Sequence, residues 1–202
     1  MSFRRRAMLL AVAGALLSTS LVRAAESPAP APGLRGTGDL GIIVERASGR
    51  VKIIETTGHT AIGEIDGLGD LSHASAVFSR DGRYAFVFGR DGGLTKVDLL
   101  QGTVVKRVLQ AGNSIGGAIS QDGKLVAAQN YVPGGVKVFD AQTLALVADI
   151  PATFDAPGAG TGRSRVVGLA ELPGKRFIFS LFDADQIWIA ELSRPGPPRL
   201  TK

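Results

Sequence analysis

The sequence contains no cysteine. No disulfide can therefore hold the fold together, and the Cys-x-x-Cys-His motif that attaches a c-type heme is absent. A lipid anchor on an N-terminal cysteine is excluded for the same reason. Aromatic residues are scarce, with one tryptophan and two tyrosines in 202 residues. Such a chain is stabilised by packing, and it is poorly supplied with the aromatic hot spots of protein-interaction surfaces.

Several other patterns are missing. The chain after its N-terminal segment shows no helical periodicity, no cluster of residues with metal-ligand spacing, and no block of Lys and Arg interleaved with aromatics. Residues 1–24 hold four arginines and no acid, so they carry most of the net charge of +5. Nucleic acid is therefore not an expected partner. The absence of helical patterning predicts an all-β fold.

The N-terminus has the pattern of a secretory signal. A basic Arg4–Arg6 segment precedes an apolar run, Ala7–Leu17, and Val22-Arg23-Ala24 offers a small-residue cleavage site. We predict a signal peptide over 1–25, cleaved near Ala24 or Ala25, followed by a Pro/Ala linker over 26–35. The apolar run is too short for a stable membrane span, so export without membrane insertion is expected.

A repeat of about 40 residues organises the rest of the chain. Ser79-Arg-Asp-Gly-Arg83 recurs as Ser120-Gln-Asp-Gly-Lys124, with a degenerate copy at Leu172–Arg176. Each copy is followed by an apolar run. A turn comes next, and after it a second strand-like run that ends in an acidic residue. The first runs are Tyr84–Gly89, Leu125–Asn130 and Phe177–Leu181, and the second are Leu94–Asp98, Gly135–Asp140 and Gln186–Glu191. An earlier unit, Gly41–Glu45 with Arg50–Glu55, matches the second half of this pattern.

This period and these short strands are typical of β-propeller blades with four strands each. The Asp of Ser-x-Asp-Gly is expected to cap the turn backbone, and Arg90-Asp-Gly-Gly93 is expected to close a hairpin. Residues 38 to 200 make roughly four such units. We therefore assign 36–202 to a partial propeller and expect it to be the front half of a longer one.

The stretch from His73 to Leu99 resembles the heme d1 domain of cytochrome cd1 nitrite reductases. The shared pattern is His-x8-Gly-Arg-Tyr-x-Phe-Val-x-Gly-Arg-Asp-Gly, and generic propellers share only its Asp-Gly-(Arg/Lys) element. The resemblance covers about 36 to 192 and is strongest over 71–98 and at Arg163–Leu169. That family's propeller has eight blades, so this chain would hold the first four. Without cysteine, it is most similar to the members that act in heme d1 biosynthesis.

The resemblance implies a periplasmic protein that binds a late heme d1 precursor, dihydro-heme d1, and acts in the final steps of heme d1 biosynthesis. Expected partners are this tetrapyrrole, other heme d1 maturation proteins and cytochrome cd1 nitrite reductase. Two alternatives stay open beside a tetrapyrrole-modifying enzyme. One is a carrier that passes the cofactor on, and the other is a protein-interaction propeller without a cofactor.

The resemblance also implies site residues. His73 falls on the family's axial histidine, and a neutral imidazole is a good ligand for heme iron; a hydrogen-bonded histidine near the channel is the alternative. The carboxylates of the macrocycle need cationic and hydroxyl donors, for which Arg165, Arg163, Arg90 and Tyr131 are candidates. Asn130 ends the same strand as Tyr131. For each arginine, a solvated loop charge is the alternative.

The chain departs from the reductase pattern on the distal side. Ala76 and Gly116 stand where the reductase has basic residues, and its distal histidine is replaced within Gly160–Ser164. Nitrite reduction needs cationic donors at those places, so turnover of nitrite is not expected. The segment Pro151–Gly162 lengthens one repeat by about ten residues and immediately precedes Arg163, and loops of this kind on a propeller face often gate a ligand site.

Overall fold

The computed structural model describes residues 37–202 except Pro157 and Ala159. The predicted signal peptide (1–25) and linker (26–35) lie outside the described residues. Within those residues the chain forms seventeen β-strands and one short 3-10 turn, Thr37–Asp39. The predicted all-β class is confirmed. The described part of the chain includes no helical segment with the length and apolar character of a membrane span.

The strands are short and follow one another closely. In chain order they are β1 Leu40–Glu45, β2 Arg50–Glu55, β3 Thr60–Ile65, β4 Ser75–Phe78, β5 Tyr84–Phe88, β6 Gly93–Asp98, β7 Thr103–Leu109, β8 Asn113–Ile119, β9 Leu125–Val132, β10 Gly135–Asp140, β11 Leu146–Ile150, β12 Thr153–Ala156, β13 Gly160–Arg163, β14 Val166–Leu172, β15 Arg176–Leu181, β16 Gln186–Glu191 and β17 Arg199–Thr201.

Strands that are consecutive in the chain pair antiparallel into separate sheets, which we call blades. Blade 1 is β1–β3, blade 2 is β4–β7, blade 3 is β8–β11 and blade 4 is β14–β17. The predicted four-stranded unit is confirmed for blades 2, 3 and 4. Blade 1 has three strands in the described residues, and its first two correspond to the second and third strands of the other blades.

The core lies in the seams between blades, and the middle strands of blades 2 and 3, which have a neighbouring blade on each side, are buried at most positions. Leu71, Ile53 and Val97 pack between blades 1 and 2. Phe86, Phe88, Val126 and Phe139 pack between blades 2 and 3. Trp188, Phe177, Phe179 and Val138 pack between blades 3 and 4. These apolar seams explain why the second and third strands read as continuous apolar runs.

The repeated turns have the capped geometry that the sequence predicts. Asp81 accepts hydrogen bonds from the Ser79 hydroxyl at 2.5 Å and the Arg83 amide at 3.1 Å. In blade 3, Asp122 accepts from the Ser120 hydroxyl at 2.6 Å in the same way. Each turn thus orients the strand that follows it.

The segment Pro151–Gly162 differs from its prediction as a loop. The strands β12 and β13 pair antiparallel, with Thr153 opposite Arg163, so the insertion is a β-ribbon. Its composition of Gly, Pro and Ala conceals this, because a two-stranded ladder rests on backbone hydrogen bonds and needs no apolar pattern.

In blades 2, 3 and 4 the first strands lie innermost and side by side. Strand β8 contacts both β4 and β14, whereas the fourth strands lie at the outer edge of each sheet. Successive inner strands therefore begin at one common end of the molecule. The candidate site lies at this end.

Candidate functional site

Three polar residues lie where the inner strands begin. His73 lies in the turn two residues before β4, Asn113 is the first residue of β8, and Arg165 immediately precedes β14. Since β8 contacts both β4 and β14, these positions come from neighbouring blades around the propeller axis. We call this end of the propeller the inner-strand edge.

The second strands bring further side chains to the same edge, because each runs antiparallel to the first strand of its blade. Arg90 follows β5, and Tyr131 is near the end of β9. Together with His73, Asn113 and Ile115 they line a cavity of about 120 Å³. The structure thus places three of the predicted site residues, His73, Arg90 and Tyr131, around one cavity.

Asn113 has an unusual environment. Its Oδ1 atom is buried and has no hydrogen-bond partner among the described residues. A buried acceptor left without a donor costs about 1–3 kcal/mol, so most buried acceptors in folded proteins are paired. The unpartnered oxygen belongs to a residue that lines the His73 cavity.

A negative charge lies behind the histidine. The Ser72 hydroxyl and backbone amide hold the pKa of Asp70 below its ordinary value, and the Arg90 charge contributes in the same direction. The Ser72 amide donates to Asp70 at 2.9 Å, and the Arg90 amide donates to the Asp70 carbonyl at 2.8 Å. The turn that carries His73 is therefore tied to the hairpin that carries Arg90.

Arg165 is held by neighbours on the turn after β15. Its Nη2 donates to Asp183 at 2.6 Å, and its guanidinium carbon lies 4.4 Å from the centroid of the Phe182 ring. The hydrogen bond to Asp183 raises the pKa of Arg165. Arg165 is therefore a permanent cation at the start of β14, and it is not among the residues that line the His73 cavity.

Arg163 makes contacts of a different kind. Its guanidinium donates to the carbonyls of Pro151 at 3.2 Å and Gly134 at 3.3 Å, and it lies 3.7 Å from Asp149. These contacts fasten the β12–β13 ribbon to blade 3. The side chain is not among those that line the His73 cavity.

Asn130 is also engaged within the protein. It is 1% exposed, and its amide exchanges two hydrogen bonds with Gln110, at 2.8 and 3.0 Å. This pair joins the end of β9 to the connection between blades 2 and 3. The structure therefore gives Asn130 a packing role, and its predicted contact with a cofactor stays a prediction.

The donors at the inner-strand edge fit a tetrapyrrole of the heme d1 type. A heme supplies four nitrogen ligands itself and needs one or two axial ligands from the protein, so a single histidine is sufficient. No group of three or more His, Cys, Asp or Glu residues capable of holding a metal by itself occurs in the described part of the chain. Arg90 and Tyr131 supply the cationic and hydroxyl donors that carboxylates require. The cavity, at about 120 Å³, is smaller than a macrocycle, so it could hold only part of one.

The distal-side departures have structural consequences. Ala76 packs partly buried against the core between blades 1 and 2. A Cβ atom at Gly116 would lie 3.0 Å from the Ser75 hydroxyl and 3.5 Å from the Gln129 amide, so a long side chain has little room there. The segment Gly160–Ser164 is largely strand β13. The expected departure from the reductase pattern at these positions stays a prediction.

The sequence did not point to Asn113 or Asp183 as site residues. Asn113 follows His73 by 40 residues, which is close to the repeat period, so superposing the repeats would have placed it at the start of the next inner strand. Asp183 gave no such signal, because its partner Arg165 lies 18 residues away across a strand pair.

Comparison with known proteins gives consistent matches. A family model described as the cytochrome D1 heme domain matches residues 35–202. Protein NirF of Stutzerimonas stutzeri is 63% identical over 169 residues, which cover 84% of this chain and 43% of that protein. Protein NirF of Pseudomonas aeruginosa is 63% identical over 171 residues, covering 85% and 43%. The chain spans less than half the length of these curated relatives.

A solved structure has the same architecture. The dihydro-heme d1 dehydrogenase NirN in complex with DHE superposes with a TM-score of 0.72 at 29% identity, covering 86% of this chain and 37% of that chain. The superposition supports the propeller arrangement of the blades described above.

Proposed function

Because the chain belongs to the cytochrome D1 heme domain family, we propose that it binds a late heme d1 precursor, dihydro-heme d1, and acts in the final steps of heme d1 biosynthesis. The 63% identity to protein NirF over most of this chain supports placing it in biosynthesis. The similarity to NirN, a dehydrogenase of dihydro-heme d1, supports the choice of ligand.

The observation that carries the proposal is the shared cavity of His73, Arg90 and Tyr131. His73 is exposed at the inner-strand edge, where its imidazole is available to ligate iron. Arg90 and Tyr131 would bind carboxylate side chains of the macrocycle, and Arg165 would add a further cation from blade 4. The bound heme would supply the redox-active iron and ring.

The proposed location is the periplasm. The basic and apolar segments of residues 1–25 support export, and the absence of cysteine suits a protein that folds there without disulfides. Amino-terminal sequencing of the protein recovered from the periplasm is expected to begin near Ala25 or Glu26. An intact Met1 in that fraction would contradict cleavage.

A spectral titration tests the ligand. The natural full-length protein is titrated with purified heme d1 and with dihydro-heme d1, and the visible spectrum is recorded. We expect a saturable shift for at least one of the two. No shift with either tetrapyrrole would overturn the proposed function.

A matched pair of variants tests the iron ligand. His73→Asn is expected to change the spectrum of the complex, because an amide does not replace imidazole on heme iron. His59→Asn removes the other histidine, which lies exposed in a turn at a φ of 53° that Asn tolerates, and is expected to leave the spectrum unchanged. A His73→Asn complex with the wild-type spectrum would exclude His73 as the ligand.

Product analysis distinguishes an enzyme from a carrier. An enzyme converts bound dihydro-heme d1 or an earlier precursor to a tetrapyrrole of different mass. A carrier returns the ligand unchanged and transfers it to cytochrome cd1 nitrite reductase or another maturation protein. Mass spectrometry of the extracted tetrapyrrole after incubation decides between them.

A further inference from the structure

Asp183 and Arg165 form an ion pair with three side-chain hydrogen bonds at the inner-strand edge. Arg165 Nη2 donates to Asp183 Oδ1 at 2.6 Å, and Arg165 Nε donates at 3.2 Å to each of the two carboxylate oxygens. The carboxylate thus faces the Nε side of the guanidinium. Such paired contacts fix the orientation of an arginine as well as its position.

The carboxylate is itself fixed by the backbone. Asp183 Oδ2 accepts the Arg165 amide at 2.8 Å, and the Asp183 amide donates to the Ser164 hydroxyl at 3.0 Å. The Phe182 ring supports the guanidinium from one face. Asp183 is therefore anchored to both the start of β14 and the turn after β15, and an incoming carboxylate would not easily displace it.

One edge of the Arg165 guanidinium is not engaged by Asp183. Its Nη1 has no hydrogen-bond acceptor among the described residues, while Nε and Nη2 are occupied by Asp183. An arginine can bind one carboxylate at its Nε side and a second at its Nη1–Nη2 end. The second position is the one that remains open here.

We propose that Asp183 is a positioning residue, which holds Arg165 so that its Nη1 end binds a carboxylate side chain of the tetrapyrrole. This inference rests on the proposed function. It gives Arg165 a specific substrate group and assigns a role to a residue that the sequence did not single out. A carboxylate close to the site of an anionic ligand would otherwise repel that ligand.

The direction in which ligand affinity changes when Asp183 is removed distinguishes a positioning role from simple neutralisation of the Arg165 charge. If Asp183 only cancels the charge of Arg165, its removal increases the charge available to the ligand and tightens binding. If Asp183 positions Arg165, its removal leaves a long, mobile side chain, and binding weakens. Asp183→Asn is nearly isosteric and is the appropriate substitution.

The test is a double-mutant cycle on the natural full-length protein, with heme d1 affinity measured by visible titration. Asp183→Asn is expected to weaken binding about tenfold, and Arg165→Ala by at least as much. In the Arg165→Ala background, Asp183→Asn is expected to change affinity less than about twofold. The control Asp185→Asn, an exposed residue of the same turn, is expected to bind as the wild type does.

A second ligand gives a measurement that a purely structural role of Asp183 would not affect. With the methyl ester of heme d1, which has no free carboxylates, Asp183→Asn and wild type are expected to bind equally. Thermal unfolding of each variant shows whether the fold is retained.

The outcomes are separable. If wild type binds neither heme d1 nor dihydro-heme d1, the proposed function fails. If wild type binds and Asp183→Asn binds equally or more tightly, or if the two substitutions are additive, the positioning role is wrong and the proposed function stands.

Discussion

The ammonium nitrogen of Lys96 lies 4.2 Å from the centroid of the Tyr84 ring and donates to the carbonyls of Ala141 and Gln142, each at 3.0 Å. The lysine and the tyrosine belong to blade 2, and the carbonyls belong to a turn of blade 3. Lys96 is 5% exposed, and burial lowers its pKa, opposed in part by Asp140. A buried cation thus joins two blades through carbonyls and an aromatic ring.

The repeat shows that this lysine is specific to one seam. Lys96 lies two residues before the acid that ends its strand. In the corresponding strands of the other blades, this position is occupied by Ile53, Val138 and Ile189.

The seam between blades 2 and 3 opens beside Lys96 into a cleft of about 570 Å³, at the end of the blades away from His73. An apolar residue at this position would leave two carbonyls without their donor.

Lys96→Ala is therefore expected to lower the free energy of unfolding by about 2–4 kcal/mol, since two charge-assisted hydrogen bonds and a cation–π contact are lost from a buried site. Lys106→Ala is the matched control. Lys106 donates to the Thr143 carbonyl at 2.7 Å in the same turn, but it is exposed, so a loss below about 1 kcal/mol is expected. Chemical denaturation measures both, and equal losses would contradict the role of burial.

The capped turns predict a dependence of stability on pH. Hydrogen bonds from Ser79 and from Ser120 hold the pKa of Asp81 and of Asp122, respectively, below the ordinary value of 3.8. Folding favours the ionised form of each carboxyl. The contribution of these groups to the free energy of unfolding is therefore present above the ordinary pKa and is lost as pH falls through the lowered pKa of the folded state.

Asp122→Asn is expected to lower stability at neutral pH and to make the loss between ~pH 5 and ~pH 2 shallower than in wild type. Denaturant unfolding at a series of pH values measures the slope. A variant that loses stability as steeply as wild type over this range would show that Asp122 is not among the groups responsible.

The features that the sequence predicts well are local ones. The capped turns depend on residues within five positions of one another, such as Ser79 and Tyr84, so the motif alone determines them. The hairpin at Gly92 and the repeat that defines the blades are equally visible in the chain. His73, Arg90 and Tyr131 could be brought together only through the resemblance to a family of known architecture.

The features that were missed depend on contacts between distant segments. Asn130 ends a strand beside Tyr131, and the sequence does not show that its amide pairs with Gln110 of the preceding connection. Asp183 was overlooked because it meets Arg165 across the β14–β15 pair. Neither contact leaves a pattern in a single sequence.

A pair of glycines with the same backbone angle tests the hairpin. Gly92 and Gly174 both have a φ of 80°, but a Cβ atom at Gly92 would overlap the backbone of Ala111, whereas one at Gly174 would have no neighbour within 4 Å. Gly174→Ala is expected to cost about 1–2 kcal/mol, which is the cost of the left-handed backbone alone. Gly92→Ala is expected to cost about 3–5 kcal/mol. Equal costs in denaturant unfolding would show that the contact with Ala111 relaxes freely.

Two asparagines with opposite environments give the sharpest test of the inner-strand edge. The Asn113 Oδ1 atom is buried without a partner among the described residues, while Asn130 exchanges two hydrogen bonds with Gln110. Asn113→Leu removes an unsatisfied acceptor and is expected to stabilise the protein by about 1 kcal/mol. Asn130→Leu leaves Gln110 unpaired and is expected to destabilise it by about 2–4 kcal/mol.

For Asn113→Leu we expect opposite effects on two measurements: the protein becomes more stable, and it binds the ligand more weakly. If a bound tetrapyrrole supplies the donor that Asn113 Oδ1 lacks, the stability lost to the unpaired acceptor is offset by tighter binding. Asn113→Leu should therefore melt at a higher temperature than wild type and bind heme d1 more weakly in the visible titration. A variant that is more stable and binds equally well would show that the unpaired oxygen has no part in the site, and one that is less stable would show that Asn113 already has a structural partner.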